Sequence, residues 1–130
     1  MAPAQWTCLL GSSGIGKSTL LRLFAGLRTG GEFEGKITAG NGMAAQSLIA
    51  YMGQTDLLFP WLTLRGNVML DSRLRGEAGN LERADALIEQ VGLSKHTHKR
   101  MHELSGGMRQ RTALARTLME NKPIVLLDEP

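Results

Sequence analysis

A glycine-rich stretch near the start of the chain, residues 11–18, restricts the possible folds most. It reads Gly-Ser-Ser-Gly-Ile-Gly-Lys-Ser and so has the spacing G-x-x-x-x-G-K-[ST]. Glycines at these positions let successive backbone N–H groups curve around phosphate oxygens, between a strand and the positive N-terminal end of a helix. A glycine-rich turn with an accidental lysine is the alternative. The context favours phosphate binding, because residues 6–10 favour a strand and an amphipathic helical pattern follows Lys17.

The loop predicts specific contacts with a nucleotide. Lys17 is expected to reach the β- and γ-phosphates, and the Ser18 hydroxyl to ligate magnesium. The predicted nucleotide-binding residues here are Gly11, Ser12, Ser13, Gly14, Ile15, Gly16, Lys17, Ser18 and Thr19.

The end of the chain places two carboxylates after an apolar run. Residues 124–127 read Ile-Val-Leu-Leu, typical of a strand buried on both faces, and Asp128 and Glu129 follow. Strands that leave a core often end in acids, but the phosphate loop strengthens a functional interpretation. Asp128 is predicted to hold magnesium, and Glu129 to act as the base that polarises the attacking water.

The remaining pattern predicts an α/β fold. Strands are expected at 35–39 and 48–52, with a turn at 40–42 between them, and residues 53–79 are expected to be irregular. Helices are predicted from the Asn80 cap to Gly92 and over 105–119, joined by a basic linker at 95–102. The three histidines near this linker lie among lysines and arginines, which argues against a metal site there.

Composition sets the class of protein. The chain has 130 residues, 42% of them hydrophobic and 21% charged, which suits one packed domain. Its net charge of +3 is too small to indicate a nucleic-acid partner. One cysteine, Cys8, and the lack of a long apolar run or secretory signal predict a cytoplasmic protein.

Residues 104–111, Leu-Ser-Gly-Gly-Met-Arg-Gln-Arg, resemble the signature sequence of the ATP-binding subunits of ABC transporters. The resemblance implies a P-loop NTPase core with a parallel sheet and a helical signature subdomain. It also implies that Ser105, Gly106 and Gly107 bind the γ-phosphate of an ATP held by a second ATPase subunit, in a head-to-tail dimer. ATP and Mg²⁺ are the implied cofactors.

The same resemblance assigns two further segments. Gln54 matches the family's glutamine loop, which contacts magnesium or the lytic water. Residues 57–63 are strongly apolar for a loop, so they are either tucked into the core or form a docking surface. In the family this region receives a transmembrane permease subunit, here through residues 59–62. The amino-acid sequence of this segment resembles that of importers for nitrate, sulfonates, taurine or thiamine precursors, which work with a solute-binding protein.

The resemblance extends over essentially the whole chain, but the chain corresponds to only about half of a typical ABC ATPase domain. Residues 1–52 and 120–130 would belong to the P-loop core, and residues 53–119 to the glutamine loop, helical subdomain and signature helix. The family's strand between 6–10 and 124–127 is missing, so those strands pair directly, another chain fills the gap, or the fold is marginal.

The function that the resemblance implies is ATP hydrolysis powering solute import, at the inner face of the membrane. The alternatives are a nucleotide-binding remnant without sustained hydrolysis, or a soluble ABC-type ATPase. Because the family's switch histidine is absent, we expect little steady hydrolysis by this chain alone, and weak ATP binding.

Overall fold

The computed structural model describes residues 5–129 and shows helices beside a parallel sheet. In chain order the elements are α1 (Lys17–Phe24), β1 (Ile49–Met52), α2 (Leu64–Val68), α3 (Leu70–Leu74), α4 (Leu81–Gln90), α5 (Gly106–Met119) and β2 (Ile124–Leu127). Short 3₁₀ turns lie at Ala45–Leu48, Ser94–His96 and Met101–Glu103. The predicted α/β class is confirmed. None of the helices within the described range is long and apolar enough to cross a membrane.

The sheet brings the two halves of the chain together. β1 and β2 pair in parallel, from Ile49 opposite Ile124 to Met52 opposite Leu127. The Asp128 N–H donates to the Met52 carbonyl at 2.9 Å and extends this ladder by one residue. The carboxyl ends of both strands therefore meet at one edge of the sheet.

The expectation that residues 124–127 are buried on both faces is wrong. Only Leu126 is buried, and the other three residues are half-buried. β2 has a single strand partner, β1, among the residues that the structure describes. One neighbour cannot enclose both faces and both edges of a strand.

The main apolar core lies in the helical part. Leu64 and Val68 of α2 and Ile88 of α4 are completely buried, and α5 packs against both helices. The prediction that residues 53–79 are irregular is therefore wrong, since α2 and α3 lie there. Each of these helices has five residues, too few to show a helical period in the sequence.

Local signals specify the two longer helices of this part. The Asn80 side chain accepts from the Arg83 N–H at 2.9 Å and begins α4. Gly92 ends it at φ 75°, where the Leu93 N–H returns to the Ile88 carbonyl at 2.9 Å. A left-handed glycine with this bond is a common helix terminus. Both predicted helices are confirmed.

Two predicted strands are absent. Residues 5–12 have no regular structure, and Trp6 and Leu10 are 91% and 89% exposed. Residues 35–39 form one isolated antiparallel bridge, Thr38 to Ala44, around the expected turn. A strand needs a neighbour for its backbone hydrogen bonds, and no strand lies beside either segment within residues 5–129. Direct pairing of residues 6–10 with 124–127 is thus not seen.

Candidate functional site

The loop before α1 is curved, as its glycines require. Gly14 has φ 82° and Gly16, the N-cap of α1, has φ 96°. Side chains rarely adopt such angles, whereas glycine does so at little cost. A Cβ atom at either position would meet nothing within 4 Å. These glycines are therefore needed for the backbone conformation of the loop, and the space around them stays open.

Backbone donors of this loop are available. Within residues 5–129, the N–H groups of Gly14, Gly16 and Lys17 have no protein acceptor, and the first turn of α1 carries no acidic residue. A helix N-terminus of this kind carries a partial positive charge of roughly half a unit. The segment can therefore bind an anion through backbone N–H groups.

The Lys17 side chain folds back over the loop. Its Nζ donates to the Gly11 carbonyl at 2.7 Å and to the Ser12 carbonyl at 2.8 Å. An ammonium group has three donors, so one remains beyond these two bonds. Its positive charge lies against the same loop that presents the free N–H groups.

A buried carboxylate links this loop to the end of the chain. The Ser18 hydroxyl donates to Asp128 Oδ1 at 2.8 Å, although 110 positions separate the two residues. The Tyr51 hydroxyl donates to Oδ2 of the same carboxylate at 3.0 Å. Asp128 is 2% exposed, and both of its carboxylate oxygens have a protein donor. A buried charge of this kind is costly unless it is hydrogen-bonded in this way.

Tyr51 is a site residue that the sequence reasoning missed. It lies opposite Leu126 in the sheet, and alternation puts the side chains of Tyr51, Leu126 and Asp128 on one face. Burial raises the pKa of Tyr51, and the hydrogen bond to Asp128 acts in the same direction. The hydroxyl therefore keeps the proton that it donates. The parallel register is the signal that reveals this contact.

Gln54 joins the same cluster. It follows β1, and its Nε2 donates to Ser18 Oγ at 3.2 Å. The Ser18 hydroxyl thus donates to Asp128 and accepts from Gln54, so its orientation is defined. Glu129 is exposed, with φ 48°, and makes no hydrogen bond through its side chain to the described residues. The structure brings Ser18, Gln54 and Asp128 together and leaves Glu129 beside them.

The side chains of Ser18, Gln54 and Asp128 suit a magnesium ion that also has ligands from outside the protein, rather than a metal held by protein side chains alone. A hydroxyl, a carboxylate and an amide are hard oxygen ligands, and Mg²⁺ commonly takes one or two carboxylates together with substrate phosphates. No group of three or more His, Cys, Asp or Glu side chains arranged for a metal occurs within residues 5–129. A Mg²⁺ ion that arrives with a phosphate ligand therefore fits this cluster.

The segment around Ser105 lies at the start of α5. The Ser105 hydroxyl accepts a hydrogen bond from the Met108 N–H at 3.3 Å and caps the helix. Gly106 and Gly107 are exposed, and a Cβ at either would meet nothing within 4 Å. In the described part of the chain, no hydrogen bond joins residues 105–107 to residues 11–19. This second glycine-bearing N-terminus faces outward.

The apolar loop at 57–63 has some side chains that are buried and others that are exposed. Leu58 belongs to the core, whereas Leu57 and Trp61 are 70% and 65% exposed. The rings of Phe59 and Trp61 stack with centroids 4.9 Å apart and an interplanar angle of 10°. One side chain therefore anchors the loop while an aromatic pair forms its surface.

A buried amide and an arginine fix this loop. Asn67 is fully buried, and its side chain accepts from the Phe59 N–H at 2.8 Å and donates to the Phe59 carbonyl at 3.1 Å. Arg116 of α5 donates to the backbone carbonyls of Asp56 and Leu57 at 2.8 and 2.9 Å. The half-buried Phe59 and the exposed Trp61 are therefore carried by a backbone that these hydrogen bonds fix.

Comparisons with known proteins agree with this geometry. The family model described as ABC transporter matches residues 1–130. The chain is 47% identical over 132 residues to an uncharacterized ABC transporter ATP-binding protein of Haemophilus influenzae, covering all of this chain and 53% of that protein. It is 45% identical to a taurine import ATP-binding protein of Mesorhizobium japonicum, covering all of this chain and 51% of that relative.

An aliphatic sulfonates import ATP-binding protein of Bacillus subtilis is 39% identical, with all of this chain and 51% of that protein covered. The chain thus spans about half the length of the curated relatives it matches. The phosphate loop, the carboxylate at the end of β2 and the capped glycine pair occur in one chain that this family model matches throughout. The chain belongs to the ABC transporter family and corresponds to part of its ATP-binding subunits, which are P-loop α/β proteins.

Proposed function

We propose that this chain binds Mg·ATP and forms part of an ATPase subunit that powers solute import. The observation that carries the proposal is the 2.8 Å hydrogen bond between Ser18 and Asp128. It places the phosphate loop against the carboxylate at the end of β2, which is the arrangement that magnesium-assisted phosphoryl transfer requires.

The loop residues would bind the triphosphate. The free N–H groups of Gly14, Gly16 and Lys17 are donors for phosphate oxygens. The Lys17 ammonium would exchange its two carbonyl acceptors for the β- and γ-phosphates, since charged acceptors form stronger hydrogen bonds than neutral ones. The rest of the loop, Gly11, Ser12, Ser13, Ile15 and Thr19, would complete this cradle.

Ser18, Gln54 and Asp128 would hold the magnesium ion that accompanies the nucleotide. Magnesium would offset the negative charge that develops on the phosphates. Ser18 has the oxygen nearest the loop, and it already contacts both other side chains. Gln54 would contact the magnesium ion or the attacking water.

Glu129 would act as the base toward that water. Its exposed carboxylate beside Asp128 is free to accept a proton. Single-turnover hydrolysis of labelled ATP, with protein in excess, tests this role. Glu129→Gln is expected to slow hydrolysis roughly 10²- to 10⁴-fold and to leave ATP binding intact. Equal hydrolysis rates for both proteins would contradict the role.

A second ATPase subunit would complete the site. Ser105, Gly106 and Gly107 lie at an outward-facing helix N-terminus that is not bonded to the chain's own phosphate loop. We propose that this segment binds the γ-phosphate held by the partner, in a head-to-tail pair.

The loop at 57–63 would dock on a transmembrane permease subunit. The stacked pair of Phe59 and Trp61 is partly exposed on a rigid backbone, and exposed aromatic side chains are frequent in the energetic centre of protein interfaces. The names of the relatives favour a taurine or sulfonate importer, with a solute-binding protein acting through the permease. The subunit would lie on the inner face of the membrane.

Capture by membrane vesicles carrying such a permease tests the docking role. Trp61→Ala is expected to weaken capture on the order of tenfold or more, as loss of an interface hot spot does, and to leave nucleotide affinity unchanged. Leu81→Ala, which truncates a half-exposed apolar side chain on α4, is the matched control. Capture unchanged by Trp61→Ala would contradict the role.

A further inference from the structure

Within residues 5–129, two side chains donate to the Asp128 carboxylate: Ser18, from the phosphate loop, and Tyr51, from β1. The Tyr51 hydroxyl lies 3.0 Å from Oδ2, whereas Ser18 contacts Oδ1 at 2.8 Å. The two donors approach opposite oxygens of the same buried carboxylate. The carboxylate is thereby held at both ends, and its plane cannot rotate without breaking one bond.

The tyrosine is well placed to act as a fixed support. Its backbone belongs to β1, which is paired with β2 along its four residues. Its ring is half-buried, and the guanidinium of Arg22 lies near its hydroxyl on the side of α1. Arg22 is one helical turn beyond Ser18, so both residues project from the same face of that helix. A polar chain thus connects α1, β1 and the end of β2.

We propose that Tyr51 is a positioning residue, which holds Asp128 so that Oδ1 faces Ser18 and the magnesium ion that binds there. Tyr51 would not touch the metal or the nucleotide. Its hydroxyl occupies the distant oxygen of the carboxylate and leaves the near one for the magnesium site. This inference rests on the proposed Mg·ATP binding. It adds to the proposed site a residue that lies outside the sequence motifs discussed above.

The positioning role of Tyr51 predicts how the Mg²⁺ dependence of nucleotide binding should change when its hydroxyl is removed. Without the Tyr51 hydroxyl, Asp128 Oδ2 would lose its donor and the carboxylate would be free to turn. Metal ligands that lose an outer hydrogen-bonding partner typically lose about 10- to 100-fold in affinity. Because Tyr51 supports one of several ligands, we expect an effect no larger than the lower end of that range, roughly three- to tenfold. Binding that relies on the loop N–H groups and Lys17 alone should not change.

The test measures binding of a fluorescent ATP analogue to the full chain, in EDTA and across a Mg²⁺ titration. Tyr51→Phe is expected to raise the Mg²⁺ concentration for half-maximal enhancement roughly three- to tenfold and to leave the affinity in EDTA unchanged. The electron paramagnetic resonance spectrum of bound Mn²⁺, with the same analogue, should broaden. Thr117→Val removes a different buried hydroxyl, bonded to the Ala113 carbonyl at 2.9 Å, and should alter neither result.

The possible outcomes separate this inference from the proposed function. An unchanged Mg²⁺ titration and Mn²⁺ spectrum in Tyr51→Phe would overturn the positioning role alone. A parallel loss of affinity with and without Mg²⁺, accompanied by a lower melting temperature, would overturn it in favour of a structural role. Wild-type protein that binds the analogue equally with and without Mg²⁺ would overturn the proposed magnesium site, and the role of Tyr51 with it.

Discussion

Ser18 and Asp128, 110 positions apart, are joined by a 2.8 Å hydrogen bond between a helix N-terminus and the end of a strand. The acceptor is 2% exposed. This contact therefore serves two purposes: it gives the buried Asp128 carboxylate a hydrogen-bond donor, and it brings the phosphate loop to the carboxylate that we propose as a magnesium ligand. The Asp128 N–H extends the pairing of β1 with β2 by one bond to Met52, which holds the acceptor in place, and Gly16 begins α1, which carries the donor.

Ser18→Ala should weaken both stability and metal-dependent binding. Removing a donor to a charged acceptor costs about 1.5–3 kcal/mol, and partial access of water should reduce the loss in free energy of unfolding to about 1 kcal/mol. The enhancement of ATP binding by Mg²⁺ should fall on the order of tenfold or more, because the substitution also deletes a proposed ligand. Urea titration and binding of a fluorescent ATP analogue measure the two effects.

Ser47→Ala is the matched control, since Ser47 is exposed and its hydroxyl, among residues 5–129, bonds only to the nearby Ala44 carbonyl at 2.7 Å. It should leave Mg²⁺ dependence unchanged. Equal behaviour of the two variants would contradict the assignment of Ser18.

Asn67→Ala should be among the most destabilising polar substitutions. Asn67 is fully buried and bonds to the backbone of Phe59 in both directions and to the Thr63 carbonyl at 3.2 Å. Its removal leaves buried backbone groups without partners, at about 1–3 kcal/mol each for those that water cannot reach. We expect a loss of about 2–4 kcal/mol in the free energy of unfolding, measured by urea titration.

The exposed Asn41, which bonds to the Met43 N–H at 3.1 Å, supplies the comparison. Asn41→Ala should stay within about 0.5 kcal/mol of wild type. A loss for Asn67→Ala that is no larger would mean that the amide does not hold the aromatic loop.

Glu120 predicts a pH-dependent stability. Burial raises the pKa of this carboxyl, and the negative charge of Asp71 adds to the effect. Because its pKa in the folded protein lies above that in the unfolded chain, stability falls as the pH rises from about 4 through the folded pKa. The penalty is largest at pH values above the folded pKa, so Glu120→Gln should raise the melting temperature most in that range.

The gain from Glu120→Gln should shrink as the pH is lowered toward about 4, because the wild-type carboxyl becomes protonated in the folded state first and then in the unfolded state. Melting curves from pH 4 to 8 measure it. Glu89→Gln, at an exposed position of α4, should show no such trend. A gain that is constant across the pH range would show that titration of Glu120 is not its cause.

Elements with local signals could be predicted from the sequence, and those that depend on a distant partner could not. α4 and α5 have an amide or hydroxyl cap and an apolar repeat over ten or more residues, all visible in one stretch of chain. Residues 6–10 have strand-forming composition but no neighbouring strand within residues 5–129. Their exposure shows that propensity alone does not make a strand.

The candidate site divides in the same way. The sequence motifs predicted Lys17, Ser18 and Asp128, and the family resemblance alone predicted Gln54. The structure brings Ser18, Gln54 and Asp128 into one hydrogen-bonded cluster. Tyr51 could not be found without the register of β1 against β2, since a tyrosine in a strand is ordinarily a packing residue. The roles of Glu129 and the Ser105 segment stay predictions, because they need a water molecule or a second subunit.

The most direct test is the affinity of the chain for Mg·ATP, measured by isothermal titration calorimetry for wild type, Lys17→Ala and the exposed-lysine control Lys95→Ala. We expect weak but measurable binding by wild type and Lys95→Ala. Lys17→Ala should bind roughly 10- to 100-fold more weakly, because two charge-assisted hydrogen bonds to phosphate are lost. Absence of wild-type binding, or equal affinity for all three proteins, would contradict a phosphate-binding role for residues 11–18.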